Sequence, residues 1–197
     1  MNESQFLFVP GGQRTKQDFD SVRSLLEADC HETDAITLSD PREATLTNHI
    51  DEVCALIEQS GAKRLHLVGH SYASFVITGA ADRVFNKIER LIFLDTLIPE
   101  NGKSLLDLFA DAEIDPGGFG VPSWPPFIEK LFFDARKLAE VRKTYVHCLN
   151  GQFLALTHKA VHHVKTHEVQ EHWTHIEIEA DHYCMIKEPK LVLEALR

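Results

Sequence analysis

The sequence lacks the features that mark several large protein classes. It has 20 lysines and arginines against 30 aspartates and glutamates, which gives a formal charge of −10. Because nucleic-acid-binding domains usually present a basic surface to the phosphates, this balance argues against a nucleic-acid partner. The first apolar run, residues 6–9, is too short for a signal-peptide core or a membrane span. We therefore expect a cytoplasmic protein that does not associate with membranes.

Cysteine is equally scarce. The four cysteines are far apart and form no C-x-x-C pair; they are Cys30, Cys54, Cys148 and Cys184. This spacing argues against a zinc ribbon or a dithiol redox motif and predicts free thiols.

The chain of 197 residues is 44% hydrophobic and 25% charged and contains no internal repeat. These values are typical of one globular domain over residues 1–197.

Short apolar runs alternate with segments in which apolar residues recur at helical spacing. The runs predict buried strands at residues 6–9, 35–38, 65–68, 91–94, 144–149 and 174–180. Helices are predicted around residues 19–26, 50–57, 72–84 and 153–172 and from Pro189 onward. Strands that alternate with helices indicate an α/β fold with a doubly wound, mostly parallel sheet.

The alternation breaks between residues 100 and 143, which we interpret as a short cap inserted into the domain. Glycines and prolines cluster between residues 116 and 126, and several aromatic residues lie between residues 119 and 133. Any one of these aromatic residues could simply cover the core. As a group they are typical of an apolar lid, in which Trp124 and Phe127 would line a substrate pocket.

A serine occupies the turn between a predicted strand and a predicted buried helix, within Gly-His-Ser-Tyr-Ala at residues 69–73. A serine in such a sharp turn is held above the carboxyl end of the sheet, and small residues on either side let strand and helix approach closely. Ala73 stands where the usual pattern has glycine. The pattern predicts that Ser71 is a nucleophile; a turn that only links the two elements is the alternative.

Three further segments accompany this turn. They are Pro-Gly-Gly at residues 10–12, Leu-Asp at 94–95 followed by Pro-Glu-Asn-Gly at 99–102, and Ala-Asp-His at 180–182 with Met185 and Pro189. In order and approximate spacing, the set resembles the α/β-hydrolase superfamily, in particular small esterases related to plant methylesterases and hydroxynitrile lyases. The resemblance covers nearly the whole chain and is thinnest over residues 100–143. It implies the α/β-hydrolase fold.

A serine hydroxyl needs a base and a group that orients the base. Among 12 histidines, His182 is selected by its position after the last predicted strand, where this fold brings a histidine over the serine.

For the acid, the resemblance implies a carboxylate after the strand at 144–149, but this chain has Asn150 there. We favour Asp95, because some α/β-hydrolases supply the acid from that strand; a role as a turn cap is equally consistent with its position.

The resemblance aligns residues 10–12 with the family's oxyanion loop. The backbone amides of Gly12 and of Tyr72, the residue after the serine, would then stabilise the oxyanion, although Gly12 could be only a turn residue.

No cofactor or metal is required. Histidine pairs at helical spacing do occur, at His158, His162, His163 and His167, but we interpret them as a solvated helix face with no structural zinc.

We therefore expect a serine hydrolase that cleaves small carboxylic esters through an acyl-enzyme, with lactones as a further candidate substrate. One alternative is a ligand-binding protein on the same fold with degraded catalysis, as the departures at Ala73 and Asn150 would allow. A less favoured alternative is a hydroxynitrile lyase. The plant lyases have a lysine directly after the histidine, whereas this chain has Tyr183. Oligomeric state and the identity of the acyl and alcohol groups are not predicted.

Overall fold

Six parallel strands form the centre of the molecule. The computed structural model describes residues 4–61 and 64–197, and its sheet has the order β2-β1-β3-β4-β5-β6. The strands are β1 (Gln5–Val9), β2 (Glu32–Ala35), β3 (Leu65–His70), β4 (Ile88–Leu94), β5 (Arg142–Cys148) and β6 (Trp173–Ile178). Every neighbouring pair is parallel. The predicted α/β fold class is confirmed.

Helices cover both faces of the sheet. They are α1 (Asp20–Ala28), α2 (Leu46–Ser60), α3 (Ala73–Arg83), α4 (Leu105–Asp111), α5 (Pro125–Ile128), α6 (Ala135–Ala139), α7 (Leu154–Thr166), α8 (Cys184–Lys187) and α9 (Pro189–Leu196). Side chains of α1 and α9 pack on one face, and those of α2, α3 and α7 on the other. Within residues 4–61 and 64–197, no helix is both long and apolar enough to cross a bilayer.

Helix α2 shows how local sequence sets the element bounds. Thr45 and Asn48 form a capping box at its start, each side chain accepting the other's backbone N–H, which pairs two amide donors that the helix leaves free. Gly61 ends the helix in the left-handed conformation, with φ of 67°, where glycine carries no steric penalty. The helix therefore ends at Gly61.

The second strand was predicted three residues too late. It spans Glu32–Ala35, whereas the apolar run lies at residues 35–38. This strand pairs with β1 alone and is therefore an edge of the sheet, where polar residues are tolerated because one side faces solvent. Ile36 and Leu38 pack on the core from the loop that follows.

The segment between β4 and β5 contains short helices α4, α5 and α6 and is attached to the rest of the molecule by polar contacts. Thr47 donates its backbone N–H to Glu129 at 3.2 Å. Asp134 donates its backbone N–H to Oδ1 of Asp82, also at 3.2 Å. The segment ends where β5 begins at Arg142. These contacts hold it against α2 and α3, above the end of the sheet from which the site is built.

Candidate active site

Ser71 lies in the turn between β3 and α3 and has a backbone φ of 54°. A non-glycine residue in this left-handed region costs about 1–3 kcal/mol and persists only when its surroundings hold it there. Ser71 donates its N–H to the Leu94 carbonyl at 3.3 Å, and its own carbonyl accepts the Thr96 hydroxyl. A Cβ at Gly69 would lie 3.0 Å from the Ala73 carbonyl, so the tight turn requires glycine there.

Asp95 and His182 form a buried hydrogen-bonded pair. Oδ2 of Asp95 lies 2.7 Å from Nδ1 of His182, and the two residues are 1% and 6% exposed. Oδ1 of Asp95 accepts the Cys148 backbone N–H at 3.1 Å. Asn150 is exposed and its side chain donates to Glu179 at 3.4 Å. Of the two positions weighed for the acid, the one that contacts the histidine is Asp95.

Ser71 and His182 line the same cavity. Among the described residues, no hydrogen bond joins Oγ of Ser71 to Nε2 of His182, and both atoms remain accessible to solvent. Nucleophile and base are often farther apart in the absence of substrate than during reaction. The structure thus brings Ser71 and His182 to one cavity without a hydrogen bond between them in the described part of the chain.

Two backbone amides near Ser71 are free to act as hydrogen-bond donors. Within residues 4–61 and 64–197, neither Gly12 nor Tyr72 donates its N–H to another group. The loop that carries Gly12 packs tightly on the serine turn, because a Cβ on Gly11 would lie 3.1 Å from Cβ of Ser71. A Cβ on Gly12 would lie 2.8 Å from the Phe127 ring. Glycine at both positions permits this close approach.

Sequence reasoning missed two residues that surround the imidazole of His182. His70 donates from Nε2 to the His182 carbonyl at 2.8 Å, and the two rings lie 4.5 Å apart. Burial holds the pKa of His70 well below its usual value, so His70 is neutral. The Phe153 ring lies 4.6 Å from that of His182. His70 stands inside the serine motif, but motif spacing alone does not reveal this contact.

The cavity over Ser71 has a volume of about 160 Å³. Aromatic and aliphatic side chains form part of its walls: Leu105, Phe109, Phe119, Val121, Phe127, Phe153 and Leu156. A cationic group is also present at its edge: Arg14, which pairs with Asp18 at 2.6 Å and lies 5.1 Å from the Tyr183 ring. The cavity therefore opens on the serine and combines apolar walls with polar groups.

The two aromatic residues predicted to line the pocket differ in position. Phe127 lines the cavity that contains Ser71. Trp124 stacks on Phe127, with ring centroids 6.1 Å apart, and lines a neighbouring groove that shares Gly12 and Tyr72 with that cavity. It is the N-terminal cap of the short helix α5. A substrate-binding role for Trp124 stays a prediction.

The comparisons with known proteins cover most of the chain. The profile described as "Alpha/beta hydrolase family" matches residues 6–176. A 68-residue stretch is 47% identical to the carbendazim hydrolyzing esterase of Nocardioides sp. (strain SG-4G), over 34% of this chain and 28% of that esterase. The aligned part thus spans little more than a quarter of that esterase.

Solved structures share the architecture at low sequence identity. An extracellular alpha/beta-hydrolase from a Paenibacillus species has a TM-score of 0.77 at 21% identity, covering 98% of this chain and 97% of that one. Polyneuridine aldehyde esterase has a TM-score of 0.77 at 16% identity, covering 99% and 98%. A pyrethroid hydrolase from Sphingobium faniae JZ-2 has a TM-score of 0.75 at 17% identity, covering 99% and 96%. At these identities the likeness establishes the shared fold.

Proposed function

Because the chain belongs to the alpha/beta hydrolase family, we propose that it is a serine hydrolase that cleaves small carboxylic esters through an acyl-enzyme. The family membership confirms the resemblance seen in the sequence. The observation that carries the proposal is the buried pair of Asp95 and His182, 2.7 Å apart, whose histidine faces the cavity that also contains Ser71. This is the arrangement of nucleophile, base and orienting acid that acyl transfer needs.

In the proposed acylation, Oγ of Ser71 attacks the carbonyl carbon of the ester while Nε2 of His182 takes the hydroxyl proton. Asp95 keeps the histidine proton on Nδ1 and stabilises the imidazolium that forms. The amides of Gly12 and Tyr72 donate to the oxyanion, and each such donor typically lowers the barrier by about 3 kcal/mol. The imidazolium then protonates the alcohol oxygen as the ester C–O bond breaks.

Deacylation repeats these steps with water. His182 takes a proton from a water molecule that attacks the acyl carbon, and Ser71 leaves with that proton, which releases the carboxylic acid and regenerates the enzyme. A lactone would react in the same way, except that its alcohol stays attached to the acyl group. Neither step requires a cofactor or a metal.

The cavity supports a preference for small acyl groups. Its volume of about 160 Å³ is close to the roughly 150 Å³ of an apolar cavity that accommodates benzene. We propose that residues 100–143 act as a cap, since they supply Phe119, Val121 and Phe127 to its walls. A long acyl chain would have to displace these side chains.

The experiment is the hydrolysis of p-nitrophenyl esters of increasing acyl length. We expect turnover of the acetate, a fall in kcat/KM for longer chains, and loss of turnover in Ser71→Ala. Ser74→Ala is the matched control, because Ser74 is buried in α3, and its hydroxyl has no hydrogen-bond partner among the described residues. Turnover that survives Ser71→Ala would contradict the proposal.

The rival functions give different outcomes in the same assay. A binding protein with degraded catalysis would turn over none of the esters. A hydroxynitrile lyase would release cyanide from mandelonitrile, an outcome that we do not expect with Tyr183 after His182.

A further inference from the structure

Two histidines and a glutamate lie together on β5 and β6, on the face that packs against α7. In the parallel register, His147 is opposite Glu177 and Tyr145 is opposite His175, so the three side chains project from the same face of the sheet. One ring nitrogen of each histidine and one carboxylate oxygen of Glu177 all lie within 4.8 Å of one another. The proposed hydrolase mechanism uses none of these groups.

Hydrogen bonds determine the protonation of His147. Its Nε2 lies 3.2 Å from the Thr157 hydroxyl, which itself donates to the Leu154 carbonyl at 3.4 Å. Because a hydroxyl has one proton, Thr157 accepts from Nε2, and Nδ1 of His147 keeps a free lone pair. His147 is 3% exposed, and its Nδ1 has no hydrogen-bond partner among the described residues. A buried acceptor in this state is rare and unfavourable.

His175 also has a buried ring nitrogen without a hydrogen-bond partner in the described part of the chain. This nitrogen, Nε2, lies 3.8 Å from a carboxylate oxygen of Glu177. Burial lowers the pKa of both His147 and His175, so both rings are neutral near pH 7. Neutral imidazole is the form that binds metal ions.

We propose that His147, His175 and Glu177 bind a divalent transition-metal ion of the zinc class. Two imidazole nitrogens and one carboxylate oxygen, with a fourth position for water, are a common ligand set for such ions. The Nε2–H of His147 donates to Thr157, and an outer hydrogen bond of this kind usually orients a metal-binding histidine. An ion held through Nδ1 of His147 and Nε2 of His175 would give both unpartnered nitrogens a partner.

The geometry requires a modest closure of the three side chains. Metal–ligand bonds of about 2.0–2.1 Å place tetrahedral ligand atoms roughly 3.4 Å apart, less than the 4.8 Å limit observed here. The Glu177 side chain is 47% exposed and can rotate. Lys165, whose Nζ lies 3.6 Å from Glu177, would move away from the ion, and its 57% exposed side chain has room to do so.

A second group of potential ligands provides a control. His163, His167 and Glu171 also lie close together, but each is partly exposed. Nδ1 of His167 already donates to the His163 carbonyl at 2.9 Å, which leaves this group without the buried unpartnered nitrogens of the first. Removal of His167 should therefore leave binding at His147 intact.

The test is a titration of the full chain with Co²⁺, whose visible absorption reports four-coordinate binding. We expect one saturable equivalent that Zn²⁺ displaces. Loss of an outer partner of a metal ligand weakens binding 10- to 100-fold. Glu177→Gln and His175→Gln remove ligands themselves, so each should weaken Co²⁺ binding by about 100-fold, the upper end of that range. His167→Gln should leave the affinity unchanged, and Lys165→Gln should raise it.

Circular dichroism would confirm that each variant is folded. If His175→Gln unfolds, the test remains valid through Glu177→Gln, because Glu177 has a half-exposed side chain. Absence of saturable Co²⁺ binding by the unaltered chain would overturn the proposal. Loss of binding in His167→Gln, with binding retained in Glu177→Gln, would overturn it as well and would assign the ion to the second group. Because the readout is metal binding, failure of this proposal is distinguishable from failure of the hydrolase proposal.

Discussion

Asp95 is held by Cys148, which donates its backbone N–H to Oδ1 of Asp95 at 3.1 Å, while Oδ2 faces His182. The substitution Asp95→Asn preserves the shape of the side chain but removes the charge that stabilises an imidazolium. We expect it to lower kcat for p-nitrophenyl acetate by about 10³–10⁴-fold. The measurement is steady-state turnover.

Asn150→Ala is the matched control for this change. Asn150 is exposed and its amide contacts Glu179, not His182, so turnover should stay near that of the unaltered protein. If Asn150→Ala impairs turnover and Asp95→Asn does not, the assignment of Asp95 as the orienting acid is wrong.

Gly151 leaves room for the Asp95 carboxylate. A Cβ at this position would lie 3.1 Å from Oδ2 of Asp95 and 3.3 Å from the Cys148 carbonyl. Because even a displacement of about 1 Å in a catalytic constellation can cost 10²-fold in rate, we expect Gly151→Ala to lower kcat by about tenfold. Gly118→Ala is the control, since a Cβ there meets only Asp115, at 3.8 Å. Equal turnover in the two variants would contradict this account.

Tyr72 is proposed to act through its backbone amide, and its side chain has a separate role. Its hydroxyl lies 2.9 Å from Nδ1 of His49, and Nε2 of His49 donates to the Ser39 carbonyl at 3.0 Å. Tyr72→Phe would leave Nδ1 of the buried His49 without a partner, which costs about 1–3 kcal/mol of unfolding free energy. We expect urea denaturation to show this loss while ester turnover is nearly unchanged. A large fall in kcat at unchanged stability would contradict the proposed backbone role.

His66 should make the protein sensitive to acid. Burial, with the nearby Arg90 guanidinium, lowers the pKa of His66 from 6.5 to about 4. Between these values the unfolded chain binds a proton that the folded protein does not, so the free energy of unfolding falls as the pH decreases from 6.5 to about 4. The loss from His66 is roughly 2 kcal/mol after solvent screening is allowed for.

Urea denaturation at several pH values measures this effect. We expect His66→Gln to reduce the loss of stability over that pH range, whereas His162→Gln, at an exposed position, should behave like the unaltered protein. Identical pH dependence in His66→Gln and the unaltered protein would show that His66 is not responsible.

The sequence predicts buried elements well because their patterns are set by the core. The central strands and the serine turn lie close to their predicted positions, since continuous apolar runs in α/β proteins mark strands that are covered on both faces. The edge strand β2 was misplaced because its residues face solvent and carry no such pattern. Helix α8, Cys184–Lys187, is a single turn, too short for a periodic signal.

The site was harder to predict where it depends on distant parts of the chain. Asp95 and His182 are 87 residues apart in sequence. Their positions in the motifs identify them as candidates for acid and base, but their contact depends on the order of the strands in the sheet. Composition indicates an apolar cap without indicating which ring faces the serine, and of the two rings Phe127 lines the cavity that contains Ser71. The ring contact between His70 and His182 depends on loop geometry, which no short motif encodes.

The most direct measurement of the central claim is covalent labelling with a fluorophosphonate, followed by mass spectrometry of the intact protein and its peptides. The account predicts one adduct per chain, located on Ser71, that is absent in Ser71→Ala and retained in Ser74→Ala. An unlabelled native protein, or an adduct that persists in Ser71→Ala, would contradict it.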